Sequence, residues 1–351
     1  MTIGRFSDII SLEGFVTVKT KEKILELLID RQGRYCSGEE IAHILSISRA
    51  AVWKAVKRLQ SEGVAIDAVT NRGYSLTETA DFISVRGIRE RLRPELEKSE
   101  ISVLPVASST NALLEERARE GAAEWTLLLA EEQLSGRGRN QRPFYSPKDT
   151  GIYMSLLLRP ENYTADQAVR ITIMAAVAVC EAIEVISGEE TAIKWVNDIF
   201  LKGKKIGGIL TEGVVSIENG RLDHVVLGIG INLYEPKEGF PSELRPLAGA
   251  VFSQKRKDTK VCLVASILNR FYGFYTDPFS TDYLVRYRSR SCVIGRRVRL
   301  VSGDRTSDVL VSGIDDRGYL TVRYLDGTEE SCCSGEISLR VSDECFTDGK
   351  P

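Results

Sequence analysis

The sequence predicts an α+β multidomain protein: an N-terminal winged helix-turn-helix, a central mixed α/β domain and a C-terminal small β-barrel. Three observations predict it. Between residues 20 and 76 three helical patterns follow one another closely and end in a hairpin. From Ile101 onward strand-like and helix-like segments alternate. From about Ile294 short strands recur between glycine- and aspartate-bearing turns. A chain of 351 residues also exceeds what one core of ~250 residues usually holds. The expected divisions are 1–19 (an N-terminal extension), 20–80 (winged helix-turn-helix), 81–290 (α/β domain), 291–343 (barrel) and 344–351 (tail).

In the first domain Ile24, Leu27 and Leu28 repeat at helical spacing. Ser37 followed by Glu40 is a capping-box signature that opens a second helix, with Ile41 and Ile44 expected to face inward. Ser48 can cap a third helix whose apolar stripe is Val52, Ala55, Val56 and Leu59. Gly63 is placed to end it, and a hairpin turning at Asn71, Arg72 and Gly73 forms the wing. Residues 81–99 read as a charged helical connector.

In the α/β domain the expected strands are 102–106, 125–131, Gly151–Leu158, 192–195, 205–215 and 224–231. Helices are expected from Asn111, from about Ala165 and over Thr259–Tyr275. The barrel strands are expected at 297–301, 308–314, 319–324, 328–332 and 337–340. There are no repeats and no low-complexity tract.

Composition excludes several classes. A net charge of -2, with 27% charged and 43% hydrophobic residues, describes an ordinary globular chain, so any basic surface must be local. Seven cysteines without a CxxC pair argue against a disulfide framework and a zinc site, and the two histidines, His43 and His224, lack ligand spacing. The first eighteen residues carry Arg5, Asp8 and Glu13, unlike a signal peptide. The apolar run 171–186 is broken by Thr172, Glu181 and Glu184 and reads as a buried helix. The expected compartment is cytoplasmic.

Two constellations carry chemistry. On the third helix Arg49, Trp53, Lys54 and Lys57 lie opposite the apolar stripe, with Arg58 on its edge and no acidic residue among them. A positive helix after a tight turn suits the major groove, and Arg72 at the wing tip can reach a phosphate. A solvated three-helix bundle is the plainer alternative, but helix, turn and wing occur together.

The second constellation begins with Gly136-Arg137-Gly138-Arg139. No Lys-Ser or Lys-Thr follows, so it is not a phosphate loop, and it lacks the third glycine of a dinucleotide fingerprint. Glycines let backbone approach a ligand, and arginines hold phosphate or carboxylate oxygens. Alone, these four residues read equally as a basic surface loop. Ser108-Ser109-Thr110-Asn111 stands at a strand-to-helix turn, and Gln133 precedes the loop. Lys194-Trp195-Val196-Asn197-Asp198, Lys205-Ile206-Gly207-Gly208-Ile209-Leu210 and Gly228-Ile229-Gly230-Ile231-Asn232 complete the set. Together they describe a pocket at strand ends with cations and amide hydrogen-bonders.

In this order the segments resemble the biotin–protein ligase family, from about Ser84 to Tyr287 and again at residues 334–340. The first domain resembles the DNA-binding domain of biotin operon repressors, through its Ser37-Gly38-Glu39-Glu40, Ser48-Arg49-Ala50-Ala51 and Gly73-Tyr74-Ser75-Leu76 segments. The family usually has proline where this chain has Val196. It often has a further glycine and a tryptophan where Gln141 and Phe144 stand.

The resemblance implies a class II aminoacyl-tRNA synthetase-like ligase fold and an SH3-like barrel. It also implies an ATP-dependent activity that makes biotinyl-5'-AMP and transfers biotin to a lysine of biotin carboxyl carrier protein. It gives residue roles as well. Ser109, Thr110, Asn111 and Gln133 would hold the ureido ring. Gly136, Arg137, Gly138 and Arg139 would close over the adenylate. Lys205, with Gly207 and Gly230 beside it, would meet carboxylate and phosphate oxygens. Asn197 and Asn232 would meet the adenine edge and Phe144 its face, while Lys194 and Asp198 support the site and the metal.

Mg2+ would travel with ATP rather than in a protein cage. Biotinyl-5'-AMP would act as corepressor by favouring a homodimer on operator DNA, and no membrane is implied. Alternatives are a lipoate-type protein ligase, a non-catalytic biotinyl-AMP sensor of transcription, and a ligase that no longer reads DNA.

Overall fold

The computed structural model describes residues 20–339 except 22, 30, 32–33, 62–63, 78–79, 161–162, 217, 219, 278–280, 303–304 and 334. The expected extension, the tail and the helix stop at Gly63 lie outside the described residues. The chain separates into two compact units, residues 1–84 with 255–259, and residues 85–254 with 260–351.

The first unit has helices α1 (residues 23–29), α2 (Gly38–Leu45) and α3 (Arg49–Ser61), then strands β1 (Ile66–Val69) and β2 (Gly73–Leu76), paired antiparallel. Ile24, Leu28, Ile41, Val52, Ala55, Val56, Leu59 and Ile66 form one buried cluster, the stripe that the periodicity predicts. Ile44 is a correction: it is 44% exposed. Ile41, Ala42 and Leu45 face the core instead, because the next inward position falls four residues after 41.

The capping box is half formed. Ser37 Oγ accepts from the Glu40 N–H at 3.0 Å, but the Glu40 carboxylate turns to Arg31 at 2.8 Å. Ser48 Oγ caps α3 through the Ala51 N–H at 3.1 Å. At the wing turn Gly73 has φ +101°, and a Cβ there would lie 2.1 Å from the Cys36 carbonyl oxygen, so only glycine fits.

The second unit is built on a seven-stranded sheet in the order β3-β4-β5-β9-β8-β7-β6. Its strands are β3 (Ile101–Leu104), β4 (Leu127–Ala130), β5 (Gly151–Leu158), β6 (Ala192–Lys194), β7 (Asp198–Leu201), β8 (Lys204–Val215) and β9 (Leu222–Asn232). Only β3 and β4 run parallel. Helix α5 (Thr110–Arg119) bonds to β8 through Asn111 and Glu212, and α6 (Ala168–Ser187) through Thr172 and Thr211. Adjacent strand residues point to opposite faces, so the two helices cover opposite faces of the sheet.

Residues 81–99 are a further correction. Within them only α4 (Val85–Arg89) is α-helical, followed by a 3-10 turn at Pro94–Leu96. Pro94 holds Arg93 extended, at φ -65° and ψ 153°, so no continuous helix can run through the segment. The periodicity also passed over β7 and α8 (Asp282–Ser289), both too short to show a period, whereas α7 (Thr259–Tyr275) has its expected bounds.

Strands β10 (Arg297–Ser302), β11 (Arg305–Ile314), β12 (Leu320–Arg323), β13 (Glu329–Cys332) and β14 (Glu336–Leu339) form an antiparallel five-stranded sheet in the order β13-β12-β11-β10-β14. The Trp195 indole N–H donates to the Gly318 carbonyl at 3.1 Å, tying this sheet to the larger one within the same unit. No helix among the described residues is long and apolar enough to cross a membrane.

Candidate functional site

A cavity of about 380 Å³ opens in the second unit. Its wall includes Ser109, Thr110, Asn111, Gln133, Arg137, Gly138, Arg139, Phe144, Lys194, Asn197, Asp198, Lys205 and Gly230. Segments separate in sequence therefore converge as expected. Gly136, Gly207 and Asn232 do not line it. Gly136 sits behind the wall, where a Cβ would meet the Phe144 carbonyl and Ser146 Oγ at 2.6 Å. Gly207 is pressed against the neighbouring strand, its Cβ position 2.9 Å from the Gly230 carbonyl oxygen. Asn232 stands at the end of β9, paired with Gly151, its carbonyl accepting from the Val251 N–H at 3.0 Å.

Residues 136–144 fold back as a small hairpin. The Gly138 N–H donates to the Arg142 carbonyl at 2.8 Å and the Phe144 N–H to the Gly136 carbonyl at 2.8 Å. Asn140 and Gln141 turn the chain with φ +54° and +58°. Gln141 thus occupies a left-handed position that favours glycine, at a cost of order 1 kcal/mol. Arg137 is exposed at the cavity's edge, and Arg139 reaches the Gly335 carbonyl at 3.4 Å.

The glycines of β9 make room for side chains. A Cβ on Gly228 would lie 2.2 Å from Asn111 Oδ1, and one on Gly230 would lie 2.6 Å from the Phe144 ring. Phe144 in turn meets Tyr153 edge-on, with centroids 6.4 Å apart. Burial pushes the Tyr153 phenol well above its usual range, so it stays protonated and donates to the Pro147 carbonyl at 2.9 Å.

Lys205 Nζ lies 2.5 Å from Asp198 Oδ1, across a β7–β8 pairing interrupted by a bulge. Asp198 is the one carboxylate among the described lining residues. Asn197 Nδ2 donates to the Ile209 carbonyl at 2.9 Å, which fixes its amide against β8. The Trp195–Val196 peptide is cis, and the Tyr287 hydroxyl donates to the Val196 carbonyl at 2.9 Å.

Asn111 is held at both ends by protein: Nδ2 donates to Glu212 at 2.7 Å and Oδ1 accepts from Ser155 at 2.6 Å. Sequence reasoning missed Ser155, Glu212, Ser146 and the lining segment around Leu244 and Leu247. One of them carried a signal, since Ser155 is the lone aliphatic hydroxyl inside the apolar strand β5. Among the described residues no group of three or more His, Cys, Asp or Glu side chains could hold a metal ion.

In the first unit Arg49, Trp53, Lys54, Lys57 and Arg58 are exposed along α3, and Trp53 is 54% exposed despite its size. Arg72, on the wing, lies over the Tyr35 ring at 4.4 Å.

Three family models match the chain. They are the biotin/lipoate A/B protein ligase family over residues 103–232, an HTH domain over 20–75 and the biotin protein ligase C terminal domain over 293–340. The bifunctional ligase/repressor BirA of Bacillus spizizenii is 34% identical over 323 residues, 91% of this chain and 98% of that protein. The Escherichia coli protein of the same name is 28% identical over 333 residues, 92% of this chain and 98% of its own. A solved biotin protein ligase from Aquifex aeolicus, in complex with biotin and ATP, superimposes with a TM-score of 0.56 at 26% identity. That match covers 69% of this chain and 98% of the other.

Proposed function

The chain belongs to the family of bifunctional biotin–protein ligases and repressors, and from that membership and its cavity we infer how its residues divide two tasks. It is an ATP-dependent biotin–protein ligase that also represses transcription. The biotin carboxylate attacks the α-phosphorus of ATP, the bond to pyrophosphate breaks, and biotinyl-5'-AMP forms. A lysine amine of the carrier protein then attacks the acyl carbon, and AMP leaves. No covalent protein nucleophile is required.

One observation carries the reading: a single cavity joins a strip of hydroxyl and amide groups to a set of cations. The strip (Ser109, Thr110 and Gln133) suits a cyclic urea, which both donates and accepts. The cations address the physical difficulty of the reaction, the approach of one anion to another. Lys205 leaves Asp198 for the carboxylate and phosphate oxygens. Arg137 and Arg139 close over the adenylate, and Lys194 adds charge. Asn197 meets the adenine edge, with Asn232 behind it, and Phe144, seated on Gly230, offers its face. Asp198, the one carboxylate among the described lining residues, would hold the Mg2+ that accompanies ATP, and the metal would offset part of the triphosphate charge.

The regulatory half rests on the exposed cations of α3 and Arg72. Bound biotinyl-5'-AMP orders the 136–144 hairpin and favours a homodimer, which presents two winged helices to a palindromic operator. Unmodified carrier protein draws the same adenylate into ligation. A chain that meets both DNA and the carrier works in the cytoplasm.

Incubation with labelled biotin, MgATP and a carrier domain tests the reading. Label should enter the carrier with release of pyrophosphate. Lys205→Met should slow adenylation about 10²- to 10³-fold in a folded protein, as loss of a charge-stabilising donor does. No pyrophosphate from the wild-type chain, or full activity in Lys205→Met, would overturn it. Labelling with lipoate in preference to biotin would instead favour the lipoate-type alternative.

A further inference from the structure

We propose that Glu212 is a positioning residue that sets the direction of a hydrogen-bond chain and so leaves Thr110 Oγ1 as an acceptor awaiting a ligand N–H. The inference rests on the biotin-ligase reading and adds a specificity determinant to it.

The chain of contacts crosses three elements. Glu212 Oε2 (β8) meets Asn111 Nδ2 (α5) at 2.7 Å, and Asn111 Oδ1 meets Ser155 Oγ (β5) at 2.6 Å. Ser155 Oγ meets Thr110 Oγ1 (α5) at 2.7 Å, and Thr110 Oγ1 lies 3.1 Å from Gln133 Oε1. The strands fix this arrangement: Ser155 and Leu210 both pair with Gly228, so one row of the sheet lies under the Asn111 amide. Ser155 is fully buried, and Asn111 and Thr110 are 7% and 3% exposed.

Each hydroxyl has one proton, and a carboxylate oxygen only accepts. Glu212 therefore takes the Asn111 NH₂, which turns the amide oxygen toward Ser155. At 2.6 Å that oxygen needs the Ser155 proton. Toward Thr110, Ser155 can then only accept, so the 2.7 Å contact needs the Thr110 proton. The gap left without a proton is the longest of the three, between Thr110 Oγ1 and Gln133 Oε1 at 3.1 Å. Gln133 Oε1 is satisfied without it, by the Thr110 backbone N–H at 2.9 Å. Its Nε2 is turned the other way, toward Ser146 Oγ at 3.1 Å.

Among the described residues, then, Thr110 Oγ1 donates but receives nothing, and Thr110 lines the cavity. A ring N–H, such as that of a cyclic urea, completes it. A ring with no N–H does not, and is disfavoured by the acceptor left unpaired.

The carboxylate at 2.7 Å, with the Leu210 carbonyl at 3.5 Å from the same Asn111 Nδ2, sets the direction, and the carboxylate is the stronger of the two acceptors. In Glu212→Gln the side-chain amide can donate to Asn111 Oδ1. Asn111 then donates to Ser155, Ser155 to Thr110, and Thr110 to Gln133. Every gap is filled, and Thr110 no longer lacks a donor.

The test is adenylation kinetics on the full chain, followed as pyrophosphate release. Probes are biotin and biotin methylated on its ureido nitrogens. Glu212→Gln should raise KM for biotin about tenfold and leave KM for ATP unchanged. The preference for biotin over the methylated analogue should shrink by a similar factor, a change that a merely structural role would not produce. Ser155→Ala breaks the chain at another strand, so Glu212→Gln added to it should cost less than twofold.

The relay is overturned by KM for biotin within twofold of wild type in Glu212→Gln, by an unchanged preference for biotin, or by losses that multiply in the double variant. If Glu212→Gln does not fold, Ser155→Ala decides: it leaves Thr110 Oγ1 with a proton for Gln133 and still no donor, so its preference for biotin should stay within twofold of wild type, and loss of that preference overturns the relay. Wild-type protein that releases no pyrophosphate with biotin and MgATP overturns the ligase reading and the relay with it. An active wild type with an indifferent Glu212→Gln overturns the relay alone.

Discussion

Three glycines shape the cavity by what lies where a Cβ would be. At Gly136 that space holds Ser146 Oγ and the Phe144 carbonyl, at Gly230 the Phe144 ring, and at Gly228 the Asn111 amide. Each keeps a neighbour in place. Gly228→Ala, with its methyl 2.2 Å from Asn111 Oδ1, must therefore displace Asn111. We expect KM for biotin to rise by about 10²-fold, the effect of moving a positioning group by ~1 Å, with a much smaller change in thermal stability. Steady-state pyrophosphate release checks this, and an unchanged KM would show that Asn111 has no part in binding. These glycines were legible as a motif, Gly228-Ile229-Gly230, but their reason was not. The side chains that require them come from α5 and the 136–144 hairpin.

At the scale of the element, α3 is the part most fully legible in sequence. A helix with Val52, Ala55, Val56 and Leu59 on one side and Arg49, Lys54 and Lys57 on the other can be written down from periodicity alone, and both faces are found as expected. Its function follows from charge. The paired substitutions Lys54→Ala and Lys57→Ala should weaken DNA binding uniformly across sequences, and each lost phosphate contact should reduce the slope of log affinity against log salt by about one. Salt titrations by fluorescence anisotropy measure that slope. A slope equal to wild type would remove these lysines from the interface. Strand β7 was not legible, because four residues with the burial pattern of alternating half-buried and buried positions carry too little period. Its loss from the sequence reading hid the Asp198–Lys205 pair, which depends on β7 lying beside β8.

On the scale of the whole molecule the chain divides into a unit that carries α3 and a unit that carries the cavity. One chain thus holds both a biotin–protein ligase and an HTH domain of a repressor, and linkage is what such a protein can exploit. Biotin and MgATP together should raise affinity for a palindromic duplex, selected by the full chain from a random pool, by about 5- to 150-fold. Sedimentation should show a parallel shift toward the dimer. Gel shifts with biotin and MgATP added singly and together make the measurement. Equal affinity in all four conditions would leave ligation and DNA binding as separate activities of one chain.

Sequence alone determined which chemical groups are present and on what kind of element each sits. Helical period, capping serines and glycine–arginine runs are properties of near neighbours, and they survive without a fold. Tertiary structure decided which of those groups meet. Asn111 and Glu212 stand 101 positions apart and are joined only because α5 lies over the β5–β9–β8 row in one register. A shift of one residue in that register would turn Glu212 to the other face and bring Thr211 in its place. The direction of the hydrogen bonds at the cavity is therefore a property of the assembled sheet, which no local pattern of residues encodes.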